Sequence, residues 1–268
     1  MIHHDWNIYF PDRTNGSREP SMITADVAEG IDLISHAHVN CYLIEDDDGV
    51  TLVDAGLPRM WPMVVEALEE RGRRPVDIRG LVLTHGHFDH VGFARRVQRE
   101  LGVPVFVHPR DEHLAAHPYS YRPQSNRFLY PFTHPRSLPL LGKMAVSGAL
   151  RIRGVDDTRP LETGTPLALP GAPVAISAPG HTDGQCILHL PERGTVISGD
   201  ALVTLDPYTG KTGPQIVASA ATKDTRQALA SLDAVAGTGA ATVLPGHGAP
   251  WVEGVEEAAA RARAVGEH

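Results

Sequence analysis

The sequence predicts an α/β protein, and three observations carry that reading. Short apolar runs closed by turn residues recur along the chain as strand signals. Amphipathic stretches of about ten residues, the length of an ordinary helix, lie between them. The two kinds of segment alternate, a pattern that builds a layered α/β sandwich more readily than an all-β one.

Residues 1 to 30 are polar and punctuated by Gly and Pro, and read as a surface arm. Segments 39–45 and 50–54 read as strands joined by Asp46-Asp47-Asp48-Gly49, whose chemistry is that of a hairpin tip rather than a calcium loop. Residues 61–71 follow as a helix with Met63, Val64, Ala67 and Leu68 on one side, ended by Gly72 and Pro75. Gly80-Leu81-Val82-Leu83-Thr84 reads as a buried strand, 93–101 as a helix and 103–107 as a strand. Strands recur near 172–177, 186–190, 195–198 and 241–244. Between and after them lie a helix over 223–236, with Ala228, Leu229, Leu232 and Val235 on its buried side, and an Ala-rich helix over 255–265.

Past the strand at 80–84 stands His85-Gly86-His87-Phe88-Asp89-His90. Neutral imidazole and carboxylate are the usual ligands of zinc and similar divalent ions. A tight loop at a strand end can send His85 and His87 to one metal while Asp89 and His90 turn to a second. Further imidazoles and a carboxylate follow other strand-like runs, in Ala178-Pro179-Gly180-His181-Thr182, Ser198-Gly199-Asp200 and Leu244-Pro245-Gly246-His247-Gly248. Asp54, in Leu52-Val53-Asp54-Ala55-Gly56, ends an early strand.

These five motifs, in this order, resemble the signature of the metallo-β-lactamase-fold hydrolase superfamily, over about residues 35 to 250. The resemblance implies one domain over 1–268, built as a four-layer αββα sandwich of two mixed sheets flanked by helices. It implies that one metal takes His85, His87 and His181, that the other takes Asp89, His90 and His247, and that Asp200 bridges them. Zinc is the first expectation, with manganese or iron as alternatives, because such sites load the metal that is available. A hydroxide shared by two metals would then cleave a small ester, thioester or lactone, with Asp89 as proton acceptor. Asp54 is the candidate partner for the outward nitrogen of a ligand histidine.

Within the superfamily the sequence is read as glyoxalase-II-like. Asp200 stands where β-lactam hydrolases carry Cys or Ser, and lactonases often carry a Tyr closer to that Asp than Tyr208. Lys211 fits the basic residues that glyoxalase II carries after the bridging Asp, although the local glutathione-binding pattern is missing. The alternative from another class is a persulfide dioxygenase with a single iron. β-Lactam hydrolase, phosphodiesterase and non-catalytic binding module are lesser readings. Retention of all seven ligand positions favours the dinuclear hydrolase over the last of these.

Between 109 and 153 the periodicity breaks, and the stretch carries seven Lys/Arg against two acids, Asp111 and Glu112. Its aromatic clusters include Tyr119 and Tyr121 beside Arg122, and Phe128 and Tyr130 beside Arg127. A long insertion in this place reads as a lid, and the alternative is a packing or homodimer contact. Tyr121, Arg122, Tyr208 and Lys211 are the substrate-binding candidates, suited to a small molecule bearing a carboxylate or phosphate. His108, His113, His117 and His134 read as lid or surface residues, and His36 and His38 as mouth or surface residues. His189 reads as pointing away from the site, and His3, His4 and His268 as solvated termini.

The net charge of −8 argues against a nucleic-acid partner. No run approaches 18 apolar residues, so no membrane span is expected, and the first six residues lack the form of a secretion signal. Cys41 and Cys186, each inside a strand-like run, then read as reduced core residues of a cytoplasmic protein.

Overall fold

A computed structural model of the protein describes residues 22–126 and 130–268. His3, His4 and the Arg127-Phe128-Leu129 part of the insertion lie outside the described residues. A seven-stranded sheet holds β1 (Met22–Ala28), β2 (Ile31–His36), β3 (Val39–Asp46), β4 (Gly49–Val53), β5 (Ile78–Val82), β6 (Val105–Val107) and β7 (Arg159–Pro160) in chain order. Its first four strands pair antiparallel, and β4 to β7 pair parallel. Helix α1 (Trp61–Glu70) makes the crossover from β4 to β5, and α2 (Ala94–Leu101) the crossover from β5 to β6.

The second large sheet comprises β8 (Val174–Ser177), β9 (Cys186–Leu190), β10 (Thr195–Gly199) and a later strand, with β11 (Val203–Leu205) and β12 (Thr212–Gln215) forming a separate hairpin. That later strand, β13 (Thr242–Pro245), pairs parallel with β10, while β9 runs antiparallel between β10 and β8.

Why two sheets stack is legible in β3. Val39, Cys41 and Leu43 point to one face, where they join Leu52, Leu81 and the α1 and α2 residues Val64, Leu68 and Val97. Tyr42 and Ile44 point to the other, where they meet Val53, Val82 and, from the second sheet, Leu188, Ile197 and Leu244. Side chains alternate along a strand, so a strand covered on both faces must be apolar throughout. The outer face of the second sheet repeats the arrangement. Ile187, Val196 and Val243 pack there on α6 (Thr225–Ala236) and α7 (Val255–Val265) through Ala228, Leu232, Ala258 and Ala262. Three apolar seams between four layers are the expected αββα sandwich. Burying one such Leu or Ile stabilises the fold by roughly 1.5–3 kcal/mol.

The edge of the sandwich is polar. Tyr42 Oη donates to the Pro245 carbonyl at 2.6 Å, Asn40 Nδ2 to the same oxygen at 2.8 Å, and Cys186 N–H to Thr84 O at 2.8 Å. These bonds stitch the two sheets where the loops of interest leave them.

Two expectations need correction, and the stretch without periodicity is helical. The described part of the supposed surface arm, residues 22–30, is strand β1 and the turn that leads into β2, and residues 1–21 lie outside the described residues. The signal is weak because β1 is bulged between Thr24 and Ala28, and because β2 carries Asp32, a buried acid whose carboxylate is taken by the Arg71 guanidinium at 2.5 and 3.0 Å. The terminal His268 is largely covered rather than solvated; its carbonyl accepts from Ser219 N–H and its ring lies 3.3 Å from Asp206. The 109–153 stretch is folded into a 3-10 turn (Pro109–Asp111), α3 (Glu112–Ala116), α4 (Tyr130–Thr133), α5 (Ser137–Met144) and a π-helical turn (Ala145–Ala149). Helices this short give no periodic signal.

Cys41 and Cys186 are buried and unbridged, and Asp46 to Gly49 form the expected hairpin tip. No helix among the described residues is long and apolar enough to cross a membrane.

Candidate metal centre

Strands β8, β10 and β13 run the same way, so the loops after them emerge at one end of their sheet and deliver His181, Asp200 and His247. The parallel pair β4 and β5 delivers Asp54 and the stretch from His85 to His90 from the other sheet. All seven predicted ligand positions are buried. Gly246 lets the last loop come this close, since a Cβ there would collide with the Asp200 carboxylate and the His90 ring.

The donor atoms fall into three overlapping groups, each within 4.8 Å: His85 with His87 and His181, His85 with His90 and Asp200, and Asp89 with His90 and His247. His181 Nε2 faces His87 Nδ1 at 2.9 Å and Asp200 Oδ2 at 3.3 Å. His247 Nε2 lies 3.3 Å from the same Asp200 oxygen and 3.4 Å from Asp89 Oδ2, and His90 Nε2 lies 3.5 Å from Asp200 Oδ1. A tetrahedron with metal–ligand bonds of about 2.1 Å has edges of about 3.4 Å, the spacing of these contacts. Moreover, His85 Nε2, His90 Nε2 and Asp200 Oδ1 are buried without a hydrogen-bond partner. Buried polar atoms are almost always paired, so an inward-facing set of orphans fits divalent cations.

The outward ring nitrogens of four of the five histidines are held, while His87 turns Nδ1 to the cluster and leaves Nε2 without a hydrogen bond. Asp54 Oδ2 lies 2.8 Å from His90 Nδ1, and Thr84 Oγ1 lies 3.1 Å from His85 Nδ1. Thr222 Oγ1 lies 3.1 Å from His181 Nδ1, and the His38 carbonyl 2.7 Å from His247 Nδ1. Asp54 also accepts from Thr84 N–H and Thr84 Oγ1–H, both at 2.8 Å, which its left-handed backbone (φ 60°) aims it to do. Such partners fix ring orientation and keep the inward nitrogen available as a ligand.

Burial and charge then divide the imidazoles. Burial drives His85 and His87 well below the ordinary histidine range and takes His181 to about 4. Burial also opposes a proton on His90 and His247, but carboxylates win there. Asp54 and Asp200 lift His90 to about 9, and Asp200 with Asp89 carries His247 well above its usual value. In return, although burial disfavours their charge, His247 and His90 hold Asp89 and Asp200 below the carboxylate range.

Of the substrate-binding candidates, the structure brings two to the centre. The Tyr121 ring packs on His87 with centroids 4.4 Å apart, and its hydroxyl lies 3.3 Å from that of Tyr208. Arg122 and Lys211 are exposed. His36 and His38 are half-buried, not surface, and they anchor the insertion: Ser147 Oγ meets His36 Nε2 at 2.8 Å and Lys143 Nζ meets His38 Nε2 at 3.1 Å. Sequence reasoning missed Thr84, Thr222 and the His38 carbonyl, none of which belongs to a motif. It also missed Asp111, a fully buried carboxylate that it counted only as a charge of the insertion.

Residues 36–247 match the Metallo-beta-lactamase superfamily, and the chain belongs to it. Probable metallo-hydrolase YflN of Bacillus subtilis is 25% identical over 237 residues, 84% of this chain and 86% of that one. The crystal structure of the metallo-beta-lactamase family protein TTHA1429 from Thermus thermophilus aligns with a TM-score of 0.64 at 25% identity, covering 88% of this chain and 79% of that one. TTHA1623, crystallised in a di-iron-bound form, aligns with a TM-score of 0.58 at 26% identity, over 84% of this chain and 95% of that one.

Proposed function

We propose that the protein is a dinuclear-metal hydrolase of a small ester, thioester or lactone, closest in kind to glyoxalase II. The observation that carries the reading is Asp200: one oxygen sits 3.3 Å from both His181 and His247, so a single carboxylate belongs to both halves of the cluster. His85, His87 and His181 would hold one ion and Asp89, His90 and His247 the other, with Asp200 shared. The name of YflN supports a metallo-hydrolase, and the di-iron form of TTHA1623 keeps iron beside zinc and manganese as the resident metal.

Two divalent ions held this way supply water acidified to neutral pH and a Lewis acid for the scissile carbonyl. The chain's own residues do the rest. Asp89, an anion at neutral pH, takes the proton released by the attacking water. The Tyr121 and Tyr208 hydroxyls stand together at the mouth, where a phenolic O–H can donate to a developing oxyanion or leaving oxygen. The irregular segment after α3 carries Tyr121 over His87, and the insertion serves as a lid. Exposed Arg122 and Lys211 would meet a carboxylate or phosphate on the incoming substrate first.

Elemental analysis beside a panel of thioesters, lactones, a phosphodiester and a β-lactam tests this reading. About two zinc or manganese ions per chain with ester, thioester or lactone turnover is the expected result. About one iron per chain, oxygen uptake on a persulfide and no hydrolysis would replace it with the mononuclear dioxygenase.

A further inference from the structure

Asp111 ends the 3-10 turn that follows β6 and is 1% exposed. Its Oδ2 accepts from Gly86 N–H at 3.0 Å and from Thr182 Oγ1–H at 2.7 Å, and its Oδ1 accepts from Gly184 N–H at 2.8 Å. Gly86 lies between His85 and His87, and Thr182 follows His181. One carboxylate therefore grips both loops that carry the three imidazoles of one half of the cluster, through two backbone N–H groups and the Thr182 hydroxyl. None of its donors comes from the loops that carry Asp200 and His247.

The fit is tight. A Cβ on Gly184 would run into the Asp111 side chain and backbone, and a Cβ on Gly86 would run into Leu114 and Ala115 at the next turn of the insertion. The loops bearing His85, His87 and His181 are thus pressed against the first residues of the insertion, with Asp111 as the pin between them. All three partners donate, and none carries a charge. An anionic carboxylate satisfies all three; an amide would turn its N–H₂ toward at least one of them.

We infer that Asp111 is a positioning residue: it sets the separation of the His85/His87 loop from the His181 loop and thereby the metal affinity of that half alone. The inference rests on the two-metal reading above.

The test is a competition titration with zinc and a chromophoric chelator, resolving two dissociation constants in the wild type, D111N and Thr182→Val. His181→Ala and His247→Ala, each lacking one ligand of one half, mark which constant belongs to which half. The expected result for D111N is a loss of about 10–100-fold in the constant that His181→Ala also weakens, with the other unchanged. Thr182→Val, which removes one donor and no charge, should weaken the same constant less. General destabilisation does not move the ratio of the two constants. If D111N does not fold, Thr182→Val decides alone. Equal weakening of both constants, or no change in either, overturns the role of Asp111. A wild type that binds fewer than two ions overturns the two-metal reading instead, before any variant is considered.

Discussion

The two halves of the cluster are both buried, yet one is neutral and the other is built from paired charges. On one side, His85, His87 and His181 stack edge to face and shed their protons. On the other, His90 and His247 sit among Asp54, Asp89 and Asp200 and keep theirs. Desolvation disfavours charge in both places, so the difference comes from the carboxylates. Before any ion binds, the imidazole half is ready as a ligand set, whereas the carboxylate half holds protons where an ion would sit.

Removing the shared carboxylate should have the largest effect. Asp200→Ala is expected to lower metal content below two ions per chain, measured by elemental analysis. Its loss of kcat/KM should reach at least about 100-fold, the upper end for a ligand's outer partner.

Asp54→Asn should strike the carboxylate half. The His90 ring loses an anion at 2.8 Å, so in metal-free protein its pKa, followed by NMR, should fall from about 9 toward the ordinary histidine value. Zinc affinity at that half should drop about 10–100-fold. An unmoved His90 titration would show that Asp200 and Asp89 sustain its proton without Asp54.

A pH series sharpens the contrast further. At pH 7 the metal-free His90, at about 9, is protonated, as is His247, whereas His181, at about 4, is not. Filling the carboxylate half should therefore expel about two protons, and filling the imidazole half essentially none. Calorimetry in buffers of different ionisation enthalpy reads this directly. Affinity at the carboxylate half should weaken as pH falls below about 9, while that at the imidazole half should persist until His181 titrates near 4.

The smallest effect is expected at the mouth. Tyr121→Phe and Tyr208→Phe each remove one hydrogen-bond donor, a loss of about 2–12-fold in kcat/KM. An unchanged kcat/KM for Tyr208→Phe would withdraw its role toward the substrate.

Much of this centre was legible because ligand chemistry is dense and local: three imidazoles and a carboxylate within six residues leave few other readings. The αββα layers were legible because β3, β4 and β5 are apolar on both faces. Strand β1 was not, because its bulge disrupts the alternation, nor β2, whose Asp32 is neutralised by an arginine 39 residues away. Asp111 was invisible for a related reason: its partners lie 25, 71 and 73 residues distant, and a single Asp in a basic stretch looks like solvent-facing charge. Long-range polar pairing leaves no period in a sequence.

The attachment of the insertion sets how freely the chain could acquire a new specificity. Its entrance is pinned by Asp111 to the His85 and His181 loops. Its exit is pinned by Lys143 and Ser147 to His38 and His36, in and beside the turn whose carbonyl steadies His247. Between these pins, Tyr121 packs on His87, Tyr119 stacks on Phe88, and Gln124 N–H donates to the carbonyl of Thr222, the residue that holds His181. A change of specificity made there therefore has to keep the Gln124 contact if the support of His181 is to survive. The pins themselves belong to the chassis.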